Sequence, residues 1–318
     1  MKKYLLYILL LSLLAAILCG CVEIKKEEAK DTRLYVVCTA FPPYDFVKNI
    51  AGDDVRLELL VPAGNDTHNF ALKDISVSKL SRLQDADFVL YVGGESDALL
   101  IADLKKTLPQ KTQFVSLLSL VQNPLCGDNH ADHDGHAHSE KEYDEHVWTS
   151  PKRAMELVSK LTDLLCKALP EKAEAFGRQS EAYLHKLSKL DGRYEDAMAK
   201  RSYDTLIFAD RFPFRYLCSD YRIEAEAAFA GCSGEVEPSL SVLDALYEKA
   251  KELELPAVLC MEGSNRAYAD NLAKKLGCQS LLLHSCHNLS TELMETKDYL
   301  SLMEDNLEVL KIALGIGN

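Results

Sequence analysis

Several signatures of chemistry are missing from this 318-residue chain. There is no H-E-x-x-H run and no nucleophile elbow, so neither common hydrolase motif is present. Its ten cysteines contain no C-x-x-C pair, and a chain of this length does not need disulfide staples. No internal repeat is visible. Basic charge is also scarce, with 36 Lys and Arg against 49 Asp and Glu and a net charge of −13. Without Lys2 and Lys3 of the opening segment the balance becomes −15. Such a surface repels nucleic acid and anionic lipid headgroups and tolerates cations. No nucleic-acid partner is expected.

What is present begins with a targeting signal. Lys2 and Lys3 precede an almost unbroken apolar run from Tyr4 to Leu18, too short for a mature membrane span. Leu18-Cys19-Gly20-Cys21 looks like a lipoprotein cleavage box, which makes residues 1–20 a signal peptide and Cys21 the lipidated N-terminus. The alternative is an ordinary cleaved signal that leaves Cys21 free. Residues 21–32 are charged and aperiodic and read as a lipidated tether. The eight remaining cysteines read mostly as small buried hydrophobes; Cys232 and Cys286 flank functional-looking segments.

About 300 mature residues suggest two domains. Short apolar runs at Leu34–Thr39, Val55–Val61, Phe88–Val92 and Gln113–Leu117 alternate with helical spacing at Tyr44–Ala51 and Ile75–Gln84. That alternation predicts a parallel, doubly wound α/β lobe. Pro151–Arg201 is helical throughout, broken near Leu169-Pro170, with a second helix of about thirty residues, roughly 45 Å, starting at Glu171. Strand and helix signals then resume, from Thr205–Ala209 to Ser280–His284. The expected architecture is α/β: two Rossmann-like lobes, 33–165 and 202–318, joined by a long backbone helix over 166–201.

Chemistry concentrates in Asn129–His146 (NHADHDGHAHSEKEYDEH). Five of the nine histidines lie here, His130, His133, His136, His138 and His146, with six acids. No packed core uses such a composition, and imidazoles with carboxylates suit borderline and hard cations. The segment reads as a metal-collecting loop, against a solvated loop that binds nothing. Flexible ligands carry an ordering cost, so a tight site needs three or four donors on rigid elements. His68, in PAGNDTHNF just after a strand, and His146, in DEHVWTSP at a helix entry, are the candidates outside the loop proper.

These motifs carry a resemblance. Over nearly all its mature length the chain resembles the zinc- and manganese-binding lipoproteins of bacterial ABC uptake systems, the cluster A-I family. VVCTAFPPYDFVKNIAGDDV is similar to the family's first strand and helix. PAGNDTHNFALKDIS and DEHVWTSP are similar to its two metal-histidine motifs, GGESD to its turn after the third strand, and GCSGEVEPS to its glutamate-proline-serine motif. The resemblance implies His68 and His146 as first-lobe ligands of a metal held between the lobes. The family's third ligand position falls on Arg211, in FADRFPFRYL, and a guanidinium that stays protonated cannot bind metal. The neighbouring Asp210 either takes that role or pairs with Arg211 near Glu235, Glu237 or Glu262. The fourth position falls on His284, followed by Cys286 and His287, where a nitrogen donor favours zinc over manganese. Glu262 is placed to orient a ligand, and Trp148 and Phe70 to shield the site and pack.

The function implied is capture without catalysis. A monomeric, membrane-anchored, extracytoplasmic protein would take zinc for an ABC permease and its ATPase, with the histidine-rich loop as an accessory collector. The rival readings are a manganese protein of the same family, a secreted zinc hydrolase, and a surface metal buffer or adhesin.

Overall fold

Val36 and Cys38 face one way along the first strand, and Tyr35 and Val37 the other. All four are buried, so this strand is covered on both faces, as strands of a parallel sheet are. A computed structural model describes residues 31–65, 67–127, 143–229, 237–287 and 289–317. The signal segment, Cys21, most of the tether, His130, His133, His136, His138, Cys232 and Glu235 lie outside the described residues.

The first lobe is built on β1 (Tyr35–Cys38), β2 (Arg56–Leu59), β3 (Phe88–Tyr91) and β4 (Gln113–Ser116). They form one sheet in the order β2-β1-β3-β4, all parallel, with Val36 opposite Leu57 and Phe88. Helices α1 (Phe41–Ala51), α2 (Val77–Leu83) and α3 (Ala98–Thr107) connect them. Helix α1 begins three residues before the sequence signal at Tyr44. Pro42 and Pro43 sit in its first turn, where a missing N–H costs nothing.

Helix α4 (Pro151–Ala168) and helix α5 (Ala173–Met198) follow. Helix α5 has 26 residues rather than thirty. Leu169 precedes Pro170 and is held out of the helical region at φ −130°, ψ 74°, and Pro170–Lys172 form a 3-10 turn before α5 starts. The second lobe repeats the first plan. Strands β5 (Thr205–Phe208), β6 (Glu224–Ala227), β7 (Ala257–Met261) and β8 (Gln279–Leu283) run parallel in the order β6-β5-β7-β8. Helices α6 (Arg215–Tyr221), α7 (Leu240–Glu252), α8 (Ala267–Leu276), α9 (Thr291–Thr296) and α10 (Tyr299–Ala313) complete it.

Period-two alternation sorts the strands between cores. Val36, Cys38, Phe88 and Leu90 of the first lobe share one continuous apolar cluster with Leu206, Phe208, Leu259 and Met261 of the second. Leu157, Leu161, Phe176, Leu187 and Tyr194 of α4 and α5 fill its middle. The opposite strand faces build separate outer clusters, one around Val37 and Val89 and one around Ile207 and Val258. Each fully buried Leu, Val or Phe in the shared cluster contributes about 1.5–3 kcal/mol. Residues 33–318 accordingly form one compact unit.

In both sheets the direction of winding reverses between the two central strands, which themselves run parallel. In this topology the crevice beyond the carboxyl ends of those strands is where ligands bind.

Candidate metal centre

Three loops meet there. The first leaves β2 through Pro62 and turns at Gly64, whose φ of +76° suits glycine. The Gly64 N–H donates to the Leu289 carbonyl of the second lobe at 2.8 Å. A 3-10 turn, Thr67–Asn69, then presents His68.

The second loop enters from Tyr143, which forms an isolated antiparallel bridge with Cys126. The Asp144 carbonyl accepts from the Tyr216 hydroxyl at 2.9 Å, and the Asp144 N–H donates to the Leu125 carbonyl. Asp144 Oδ1 accepts the His146 backbone N–H at 2.8 Å and lies 3.2 Å from His146 Nδ1. A carboxylate on Nδ1 fixes the proton there and leaves Nε2 as the basic nitrogen. Glu145, between them, is buried. Its Oε2 accepts from the Ser96 hydroxyl at 2.6 Å and the Ser96 N–H at 3.3 Å, while Oε1 stands 3.3 Å from His68 Nε2. The turn that supplies Ser96 is tied down by Asp97, which accepts from the N–H groups of Val92 and Gly93 and from the Thr39 hydroxyl.

The third loop follows β8. Asn306 holds the His284 backbone from both sides, accepting its N–H and donating to its carbonyl at 2.7 Å each. Glu262 takes the N–H and hydroxyl of Ser285, also at 2.7 Å each. The Trp148 indole N–H donates to the Ser285 carbonyl at 2.8 Å. Cys286 adopts φ +60°, which swings the next residue toward the first lobe. His287 Nδ1 thereby lies 3.2 Å from His146 Nε2, and its ring is 5.3 Å from that of His68.

Two pairs of donors therefore face each other, His68 with Glu145 and His146 with His287. A tetrahedral zinc with bonds of 2.0–2.1 Å has donor–donor edges of roughly 3.3–3.4 Å, and both pairs sit close to that. Among the described residues no three His, Cys, Asp or Glu side chains are arranged to hold a metal. Burial pushes the Glu145 carboxyl up. The His68 hydrogen bond, the charges of His146 and His287 and the Ser96 hydroxyl more than reverse that, bringing it down to about 2. Trp148 forms the floor, its ring edge-on to both His146 and His287. Phe70 instead packs against the outer cluster of the first lobe.

Of the residues singled out from sequence, His68 and His146 come together. Asp210 and His284 do not join them. Asp210 Oδ1 accepts the Arg211 N–H at 2.8 Å and Oδ2 the Met261 N–H at 3.1 Å, so it ties β5 to β7. The His284 ring has a buried Nδ1 with no hydrogen-bond partner, and its backbone is clasped by Asn306. Glu262 accepts from the N–H and hydroxyl of Ser285, two residues before His287. Asp144 and Glu145, beside His146 in the same motif, and His287, three residues after His284, contact the two histidines without having been candidates from sequence. The seven described cysteines are all free thiols, Cys286 among them.

The family described as zinc-uptake complex component A, periplasmic, matches residues 36–313. The zinc-binding lipoprotein AdcA of Streptococcus pneumoniae is 33% identical over 319 residues, covering 98% of this chain and 61% of that protein. The chain thus spans about three-fifths of that relative's length. The high-affinity zinc uptake system protein ZnuA of Bacillus subtilis is 28% identical over 298 residues, 90% of this chain and 89% of that one. The crystal structure of the Zn(II)-bound ZnuA-like domain of S. pneumoniae AdcA superposes with a TM-score of 0.70 at 28% identity, over 89% of this chain and 99% of that domain. With its match running from β1 to the end of α10, the chain belongs to the zinc-uptake complex component A family.

Proposed function

We propose that the chain is an extracytoplasmic solute-binding protein that captures zinc between two lobes and delivers it to an ABC permease and its ATPase. The observation that carries this reading is the pairing of His146 Nε2 with His287 Nδ1 at 3.2 Å across the lobes, close to a zinc-ligand edge. The zinc-binding names of the relatives support it. In this reading 33–165 and 202–318 are the two lobes and 166–201 the connector. Cys21 is the lipid anchor, the histidine-rich loop at 129–146 an accessory collector, and the protein a monomer that performs no catalysis. Imidazole ligands must release their protons to solvent before they bind the metal, so affinity falls with acidity.

Calorimetric titration with zinc and with manganese tests it. The unmutated chain should bind one zinc tightly and manganese far more weakly. His68→Ala, His146→Ala and His287→Ala should each weaken zinc by about 100-fold or more, since a structural zinc site shares a large binding free energy among its ligands. His284→Ala should bind as the unmutated chain does. The reverse pattern for His284 and His287 would return the ligand role to His284.

A further inference from the structure

The family resemblance places two donors in each lobe, and this chain departs from it. The second-lobe positions that should supply them carry Arg211, whose neighbour Asp210 is committed to backbone N–H groups, and His284, whose backbone is clasped by Asn306. A carboxylate appears instead in the first lobe. Glu145 is 8% exposed, yet nothing in packing calls for a charge there. One of its oxygens is anchored on Ser96; the other points at His68. Gly94 clears the space it needs, because a Cβ on Gly94 would lie 2.2 Å from Glu145 Oε2.

We infer that Glu145 is a metal ligand, so that the first lobe supplies three donors, His68, Glu145 and His146, and the second lobe one, His287. The inference rests on the zinc-binding reading above. It assigns an unequal hold, with three of the four bonds tying the ion to the first lobe and one to the second. Consecutive ligands suit this, because Glu145 and His146 point to one centre only if their shared backbone is fixed. The bonds from Tyr216, Ser96 and Asp144 fix it. The rival role is a positioning residue, with Glu145 holding the His68 ring by its Nε2–H.

Glu145→Gln separates the two, since an amide oxygen still accepts a hydrogen bond but gives up the anionic donor. Zinc affinity by chelator competition and the visible absorption of the cobalt(II)-loaded chain are measured for the unmutated chain, Glu145→Gln and His287→Ala, with folding checked by circular dichroism. A ligand role predicts that Glu145→Gln loses on the order of 10²- to 10³-fold in affinity and that the intense four-coordinate cobalt bands collapse as water enters. His287→Ala should keep one-site binding, weakened by a similar factor. Unchanged cobalt bands with a loss under about tenfold would make Glu145 a positioning residue and overturn the assignment. Complete loss of one-site binding in His287→Ala would overturn the three-to-one division. If the unmutated chain itself bound no zinc tightly, the functional reading would fail instead, whatever the variants did.

Discussion

Gly94 has an ordinary backbone conformation and still has no room for a side chain. Its Cβ would meet Glu145 Oε2 at 2.2 Å and Glu145 Cβ at 2.7 Å, and the carboxylate cannot retreat without leaving Ser96. Gly94→Ala should therefore destabilise the metal-free chain by about 1–3 kcal/mol, the usual cost of overpacking. It should also weaken zinc, both read by urea unfolding with and without the ion. At this scale the sequence was partly legible. His68 and His146 stood out because each sits in a polar segment beside a strand or helix end. Glu145 and Asp144 did not, because acids beside a histidine-rich stretch look like solvated loop until their partners Ser96, His68 and the His146 ring are in place. That His287, rather than His284, meets His146 has a conformational reason. The turn between them depends on a positive φ at Cys286, and no residue there advertises a left-handed backbone.

The elements that carry the clustered His and Glu side chains are short loops held by side chains from helices and strands far along the chain. The His284–His287 turn is held by Glu262 just after β7, by Asn306 within α10 and by Trp148 ahead of α4. Asn306 is fully buried, and its amide serves the His284 N–H and carbonyl together. Asn306→Ala should strand both groups, costing about 1–3 kcal/mol for each buried group left unpaired. It should also lower zinc affinity about 10- to 100-fold, as loss of a ligand-orienting contact does. A thermal melt and a zinc titration check the two effects, and an unchanged affinity would show that His287 finds its place without the clasp. Strands and helices were readable because burial imposes periods of two and 3.6 on the sequence. The clasps were not, since contacts such as Asn306 with His284 join residues whose pairing no local pattern encodes.

Across the whole molecule, acid and base act in opposite directions on stability. Glu145 is held down to about 2, so the unfolded chain binds its proton first and this group's stabilisation is lost as pH falls from about 4.5 to 2. Asp45 is pushed up to about 6, first by burial and then by the nearby charge of Asp298, against the opposing Tyr183 and Tyr299 hydrogen bonds and Lys48. Asp97 is also raised to about 6, chiefly by burial, with the Glu145 charge adding to it. For these two the native state keeps a proton the unfolded chain has released, so stability falls as pH rises from about 4 to 6. Each shift corresponds to something on the order of 3 kcal/mol. The metal-free chain should thus be most resistant to urea near pH 4.5 as far as these three groups decide it. Asp45→Asn should flatten the decline between pH 4 and 6, and an unaltered slope would remove Asp45 from that account.

The architecture of two α/β lobes and a helical connector followed from the alternation of elements, yet one consequence of the packing did not. Phe208 and Leu259 share a single apolar body with Val36 and Leu90, and α4 and α5 run through its centre. Neither half could be cut free without baring an oily wall the size of the contact it lost. A gene fragment encoding one lobe alone would yield a product that seeks its missing half or precipitates. Inheritance, fusion or transplantation of this protein must therefore move both halves as one indivisible cassette.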